Sequence, residues 1–266
     1  MDLQLLGKRA LVTGGSRGIG KAIARTLAEE GCDVAICART REQLEATARD
    51  LAKETGRRVL PVVADTGSRE SVATMVKAVV GGLEGVDILV NNAARPGGQG
   101  PVPNLAQITD EAFNEDVNVK VLGYLRCAQA VAPHMVRQHW GRIINISGLA
   151  ARNAGSTIGS MRNVAIVAMA KNLAAELGPQ GVNVTVVHPG TTRTEATPGV
   201  IQWRAQAEGV PPDEIERRMS RSNLVGRIID ASDIASVVAF LASPRSVAIN
   251  GDVIAAGGGV GPAIYY

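Results

Sequence analysis

Thr-Gly-Gly-Ser-Arg-Gly-Ile-Gly, residues 13–20, joins an apolar run to a helical repeat. Residues 5–12 before it end in Ala-Leu-Val, which predicts a short buried strand. Residues 21–30 after it carry Ile23, Ala24, Leu27 and Ala28 at helical spacing. A glycine-rich turn therefore connects a strand to a helix. Its glycines let the backbone approach a ligand closely, and the helix start offers unpaired N–H groups and the positive end of its dipole. Such a turn suits a pyrophosphate. The spacing, Gly14-x-x-x-Gly18-x-Gly20, is not the general Gly-x-Gly-x-x-Gly dinucleotide fingerprint.

Outward from the turn, strand-like and helix-like segments alternate. Strands are predicted at residues 33–37, 58–63, 86–90, 142–147, 182–187 and 252–256. Helices are predicted at 41–54, 68–80, 109–137, 156–177 and 231–241. Residues 95–103 form a Gly/Pro loop, and residues 191–223 a polar, irregular region with one or two short helices. Alternation of this kind implies a parallel sheet covered on both faces. No repeat, linker or low-complexity stretch divides the 266 residues. The expected fold is α/β, a single-domain Rossmann-like doubly wound parallel sheet over residues 1–266, with its ligand crevice at the carboxyl ends of the strands.

Composition narrows the function classes. A net charge of +3, with acids and bases interspersed, gives no reason to expect nucleic acid or an anionic membrane as partner. Apolar runs such as residues 234–242 are too short to span a bilayer, and residues 1–10 lack the apolar core of a signal peptide. Cys32, Cys37 and Cys127 are an odd number without metal-ligand spacing, so core packing and no metal site are expected. The composition suits a reduced, cytoplasmic protein.

The end of the second predicted strand bears on the choice of nucleotide. An acidic residue there would bind the ribose hydroxyls of NAD. Here the strand ends Ile36-Cys37-Ala38-Arg39, without a carboxylate. Arg39 can fork onto a 2′-phosphate, and Arg17 in the glycine turn can reach the same group. NADP(H) is the expected cofactor.

The glycine spacing resembles that of the short-chain dehydrogenase/reductase family, and the resemblance runs along nearly the whole chain. Asp65-Thr66 resembles the family's adenine-contacting Asp after the third strand. Asn91-Asn92-Ala93-Ala94 is similar to its Asn-Asn-Ala-Gly signature, with Ala94 in place of Gly. Pro189-Gly190, followed by Thr192 and Thr194, resembles the Pro-Gly turn that holds the nicotinamide carboxamide. Gly226-Arg227, Asp233-Ile234-Ala235, Phe240-Leu241-Ala242-Ser243 and Asn250-Gly251 match the family's carboxyl-terminal pattern. The resemblance implies a cofactor resting on Gly14, Ser16, Arg17, Gly18, Ile19, Gly20, Arg39, Asp65, Thr66, Asn91, Ala93, Pro189, Gly190, Thr192 and Thr194.

The catalytic motif departs from that pattern. The family, as the resemblance implies, interconverts a carbonyl and an alcohol with Asn, Ser, Tyr and Lys, the Tyr hydroxyl donating the proton. Of the three tyrosines, Tyr124, Tyr265 and Tyr266, none lies between Ser147 and Lys171, so Tyr-x-x-x-Lys is absent. Matching Lys171 to Leu177 with the family's helix places the Lys position at Asn163 and the Tyr position at Gly159. A register slip of one places them at Arg162 and Ile158. The Ser position falls at Gly148; Ser147 precedes it and, by strand alternation, points the other way. Residues 113–125 align so that Lys120 holds the Asn position, whereas Asn118 would need two inserted residues within a helix. Lys120 and Asn163 thus exchange an ammonium and an amide between two positions expected to face one crevice. Partial desolvation would bring such a lysine toward the proton-transfer range.

The other candidates read less sharply. Ser147 is a ligand for a substrate oxygen or a hydroxyl paired to backbone. Arg162 is a fixed positive charge that cannot donate a proton at useful pH. Tyr124, one helical turn after Lys120, reads as packing, and His188, beside the Pro-Gly turn, as a structural histidine. Two readings stay open: an NADP(H)-dependent oxidoreductase acting on a small carbonyl or alcohol substrate with an atypical site, or a non-catalytic NADP-binding sensor or scaffold. The resemblance also implies a homodimer or homotetramer through helices 109–137 and 156–177 and the last strand. Their apolar faces (Val117, Val121, Leu125; Val164, Val167, Leu173) and the tail 260–266 fit such an assembly.

Overall fold

Leu11, Val12, Ile36, Leu89, Val90, Ile143 and Ile144 have no exposed surface, so the strand runs are covered on both sides, as parallel sheets require. The computed structural model describes residues 1–95 and 100–261. Its strands are β1 (Arg9–Thr13), β2 (Asp33–Ala38), β3 (Val59–Val63), β4 (Ile88–Asn91), β5 (Gly141–Ile146), β6 (Val182–Pro189), β7 (Thr192–Arg193), β8 (Ile229–Asp230) and β9 (Val253–Ala256). Seven form one parallel sheet in the order β3-β2-β1-β4-β5-β6-β9, while β7 and β8 pair as a separate two-stranded ribbon. The order reverses between β1 and β4, which opens a crevice at the carboxyl ends of those strands.

The helices are α1 (Gly18–Glu29), α2 (Arg41–Thr55), α3 (Arg69–Leu83), α4 (Asp110–Val117), α5 (Gly123–Arg137), α6 (Thr157–Leu177), α7 (Thr197–Glu208), α8 (Pro212–Ser220) and α9 (Ala231–Ala242). Ile23, Leu27, Leu44, Leu51 and Val238 from α1, α2 and α9 pack on one face of the sheet. Met75, Val79, Cys127, Val131 and Ile166 from α3, α5 and α6 pack on the other. A doubly wound α/β fold results. Cys32 and Cys37 lie in this interior, and burial pushes both thiols up to about 12, as expected of packing residues.

Several boundaries differ from the sequence reading. β1 starts at Arg9 rather than residue 5, because Gly7 turns the chain with φ +76°. α1 begins at Gly18, inside the glycine turn. The helix expected over 109–137 is continuous from α4 to α5 but widens into a π turn at Asn118–Leu122, where Gly123 N–H reaches back to Asn118 O. The irregular region 191–223 holds α7 and α8, and the β7–β8 ribbon ties its start to the chain before α9. Residues 96–99 of the expected Gly/Pro loop, and residues 262–266 of the tail, lie outside the described residues.

β3 is an edge strand with Pro61 at its centre. Val34 N–H donates to Arg58 O, and Ala64 N–H to Ala38 O, so even-numbered residues of this stretch face β2. Pro61 faces outward, the only side on which a strand tolerates a missing N–H. Among the described residues no helix is long and apolar enough to cross a membrane.

Candidate active site

The glycine turn is held by contacts that exclude side chains. A Cβ on Gly20 would stand 2.2 Å from Gly14 O, one on Gly15 2.7 Å from Ile36 Cγ2, and one on Gly14 3.0 Å from Ala93 Cα. Gly18 is different: its φ of +58° favours glycine, and a Cβ there would meet only Thr194 Cγ2 at 3.7 Å. Asn92 fastens the turn to the end of β4, its Nδ2 donating to Thr13 O and Gly14 O, while Thr13 Oγ1 accepts from Asn92 N and Ala93 N. At the first turn of α1 no local side chain caps the backbone and no acid is present. Gly18 N–H donates instead to Glu195 Oε1, 2.9 Å away.

A cavity of about 640 Å³ opens over this turn, within the usual range for ligand pockets. Gly14, Ser16, Arg17, Gly18, Ile19 and Arg39 line it, as do Asp65, Thr66, Ala93, Thr192 and Thr194 further along. The other four expected cofactor residues are not part of its wall. Gly20 is packed against Gly14 O. Asn91 is fully buried, its Nδ2 donating to Tyr124 O and to Asn145 Oδ1. Pro189 belongs to β6 and pairs with Ala256 of β9, and a Cβ on Gly190 would stand 2.9 Å from Gly257 Cα, so this turn is packed against the chain that follows β9. The residues present fit an NADP-type dinucleotide: a helix start without a cap from its own N-cap residue, and two arginines with no acid at the end of β2.

Among the wall residues outside the expected cofactor set are Gln43 on α2, Arg204 on α7 and Glu195. The last two belong to the polar, irregular region 191–223, which forms a lid over the cavity. Glu195 meets Gly18 across 177 positions, and no local pattern announces such a contact.

Deeper in the crevice, the π turn, the end of β5 and α6 meet at Lys120. Its Nζ donates to Ser147 O at 3.0 Å and to Asn163 Oδ1 at 3.1 Å. Asn118, the alternative position, points elsewhere, its Nδ2 donating to Gly67 O. Lys120 is 4% exposed, and burial first, then the Arg162 cation, push its pKa down to about 7, against a smaller opposing pull from Asp116. Glu115 and Asp116, the acids nearest in sequence, are ion-paired with Arg95 and Arg162. Arg162 is therefore engaged on α4 and lies beside Lys120 rather than in the cavity wall.

Ser147 does not present its hydroxyl to the crevice. The strand ends at Ile146, so alternation no longer sets its direction, and Ser147 Oγ donates to Asn163 O at 3.2 Å. The residue supports Lys120 through its carbonyl. Gly148 lies against Asn163 Nδ2 and offers no hydroxyl. At Gly159, a Cβ would stand 2.8 Å from Oγ of Ser156, the residue that caps α6, so the cap occupies the space a side chain would need. Tyr124 is buried with its OH on Ile146 O, and burial drives its phenol far above the usual range. His188 Nδ1 accepts from Gly148 N, and burial pulls its pKa down to about 4, so it stays neutral. Both are structural, as the sequence suggested. Asn145, a polar residue inside Ile-Ile-Asn-Ile, bridges β4 and β6 through Asn91 Nδ2 and Thr185 O.

The family described as Enoyl-(Acyl carrier protein) reductase matches residues 14–261. The chain belongs to the short-chain dehydrogenase/reductase family. Short-chain reductase protein NovJ of Streptomyces niveus is 36% identical over 251 residues, covering 94% of this chain and 92% of that protein. The 3-oxoacyl-[acyl-carrier-protein] reductase FabG of Aquifex aeolicus is 32% identical over 262 residues, covering 98% of this chain and 100% of that protein. The crystal structure of L-sorbose reductase from Gluconobacter frateurii, complexed with NADPH and L-sorbose, superposes with a TM-score of 0.93 at 27% identity, covering 99% of this chain and 100% of the other. Within this short-chain dehydrogenase/reductase, Tyr-x-x-x-Lys is absent from the sequence. Among the described residues no group of three His, Cys, Asp or Glu is placed to hold a metal.

Proposed function

We propose that the protein is an NADP(H)-dependent oxidoreductase of a small carbonyl or alcohol substrate, with Lys120 in the proton-donor role that the missing tyrosine leaves open. The observation that carries this reading is the Lys120 Nζ, held by Ser147 O and Asn163 Oδ1 and brought to about 7 by burial. The nicotinamide, when bound, supplies or takes the hydride at the substrate carbon. A neutral amine has two N–H groups and an ammonium three. With two donated to Ser147 O and Asn163 Oδ1, gain or loss of the third moves one proton and leaves both hydrogen bonds in place. A pKa near neutrality lets that proton leave and return. Arg162 and Asp116 act on Lys120 in opposite directions, and together with burial they set this value. Arg17 and Arg39, lining the cavity where NAD-type sites carry an acid, support NADP(H), as does the NADPH in the structure of L-sorbose reductase.

One observation favours the second reading, a non-catalytic NADP binder. Lys120 is nearly sealed, and the cavity wall includes its neighbour Val119 but not Lys120 itself. A screen of aldehydes, ketones and enones with NADPH, beside direct NADPH titration, separates the two. The expected result is turnover of one carbonyl class, with kcat lower by about a hundredfold or more in Lys120→Met while NADPH still binds. Arg39→Asp should cost about tenfold or more in NADPH affinity and move the preference toward NADH. Tight NADPH binding without turnover of any class would establish the second reading instead.

A further inference from the structure

Glu195 is the only acidic group hydrogen-bonded to the glycine turn among the described residues, and it comes from the segment that leads into α7. Its carboxylate accepts from Gly18 N–H at a helix start that has no cap of its own. A carboxylate at such a position is stabilised by the free N–H groups and the helix dipole, which are the same forces that hold a phosphate. Thr194 Cγ2 would stand 3.7 Å from a Cβ on the same glycine, so the segment passes close over the turn as well as bonding to it.

We propose that Glu195 is an internal competitor of the cofactor: it latches the lid, residues 191–223, onto the glycine turn, and the pyrophosphate of NADP(H) must displace it. This rests on the cofactor reading given above. One N–H cannot serve a side-chain carboxylate and a phosphate oxygen together at full strength, and the two anions repel. Cofactor entry therefore releases Glu195 and with it the start of α7, which carries Trp203. The latch weakens cofactor affinity and couples lid position to cofactor occupancy.

The test uses Glu195→Asp, Glu195→Gln and Glu195→Ala in the full chain. Glu195 is exposed, so the core is not disturbed. Asp keeps the charge but is one methylene too short for the contact. Hydrogen exchange of the peptide spanning Gly18 is measured in cofactor-free protein, and NADPH affinity is measured by titration. Trp203 emission is followed in a Trp140→Phe background, where it is the sole tryptophan. The expected result is faster exchange at Gly18 in Asp and Ala variants and NADPH binding about two- to tenfold tighter in both. Wild-type Trp203 emission should shift on NADPH binding, and free Glu195→Asp should already show part of that shift. Tightening by Ala but not by Asp would reduce the effect to bare charge and overturn the latch, as would unchanged exchange at Gly18. Absence of NADPH binding in the wild type and every variant would overturn the cofactor reading and this proposal together, whereas binding unchanged in Glu195→Asp overturns this proposal alone.

Discussion

A lysine in water titrates near 10.5, and Lys120 in the fold near 7. Between those values the unfolded chain holds a proton that the folded chain has given up, so stability must rise with pH across this window. Below about 7 both states are protonated and the fold carries the full cost of a buried charge. The slope reaches about 1.4 kcal/mol per pH unit where the two states differ by one proton. Urea unfolding at pH 6, 7, 8 and 9 should therefore show the wild type gaining on Lys120→Met as pH rises above 7. A constant difference would mean that the ammonium stays charged. Arg162→Met should raise the lower edge of the window and so narrow it, since it removes the cation that disfavours the charged lysine while the unfolded chain is unchanged. The meeting of Lys120 and Asn163 was legible in the sequence, because both were expected to face one crevice. The carbonyl of Ser147 as the second acceptor was not, since every residue has a carbonyl and only the end of β5 aims this one.

The joint between β1 and α1 shows what an element demands of its residues. Gly20→Ala would push a methyl group to 2.2 Å from Gly14 O of the turn and 2.4 Å from Asn92 Nδ2, the amide that ties the turn to the end of β4. Neither can move without breaking the bonds that fasten the turn to β4. The expected loss is at least about 2 kcal/mol, seen as a lower melting temperature, together with weakened NADPH binding. Elements of this kind were readable because periodicity is local: apolar runs and helical repeats placed the sheet strands to within a few residues. The π turn was not readable, because the one extra residue that widens the helix at Asn118–Leu122 leaves no mark in the apolar spacing of α4 and α5. The lid was least legible. Its residues are polar and irregular in sequence, and Glu195 and Arg204 gain meaning only where α7 crosses the crevice.

At the scale of the molecule, Met161 and Val164 on α6 and Leu122 on the π turn remain 52%, 50% and 40% exposed. We propose that this apolar face is covered by a second copy, in keeping with the family's usual dimers and tetramers. Light scattering at micromolar concentration should give a dimer or tetramer, and Met161→Glu with Val164→Glu a smaller species; a wild-type monomer would refute the proposal. The sheet adds a constraint of its own. Its β3 margin turns Pro61 outward and lacks a donor at mid-strand, whereas its β9 margin is a short strand without proline. Strand addition is thus disfavoured by Pro61 at the β3 margin, and no proline opposes it along β9. Two copies joined at β9 would present only proline-bearing margins outward. A pairing of that kind uses the same margin of both copies, so it closes at two and leaves the proline to guard each outer edge against further growth.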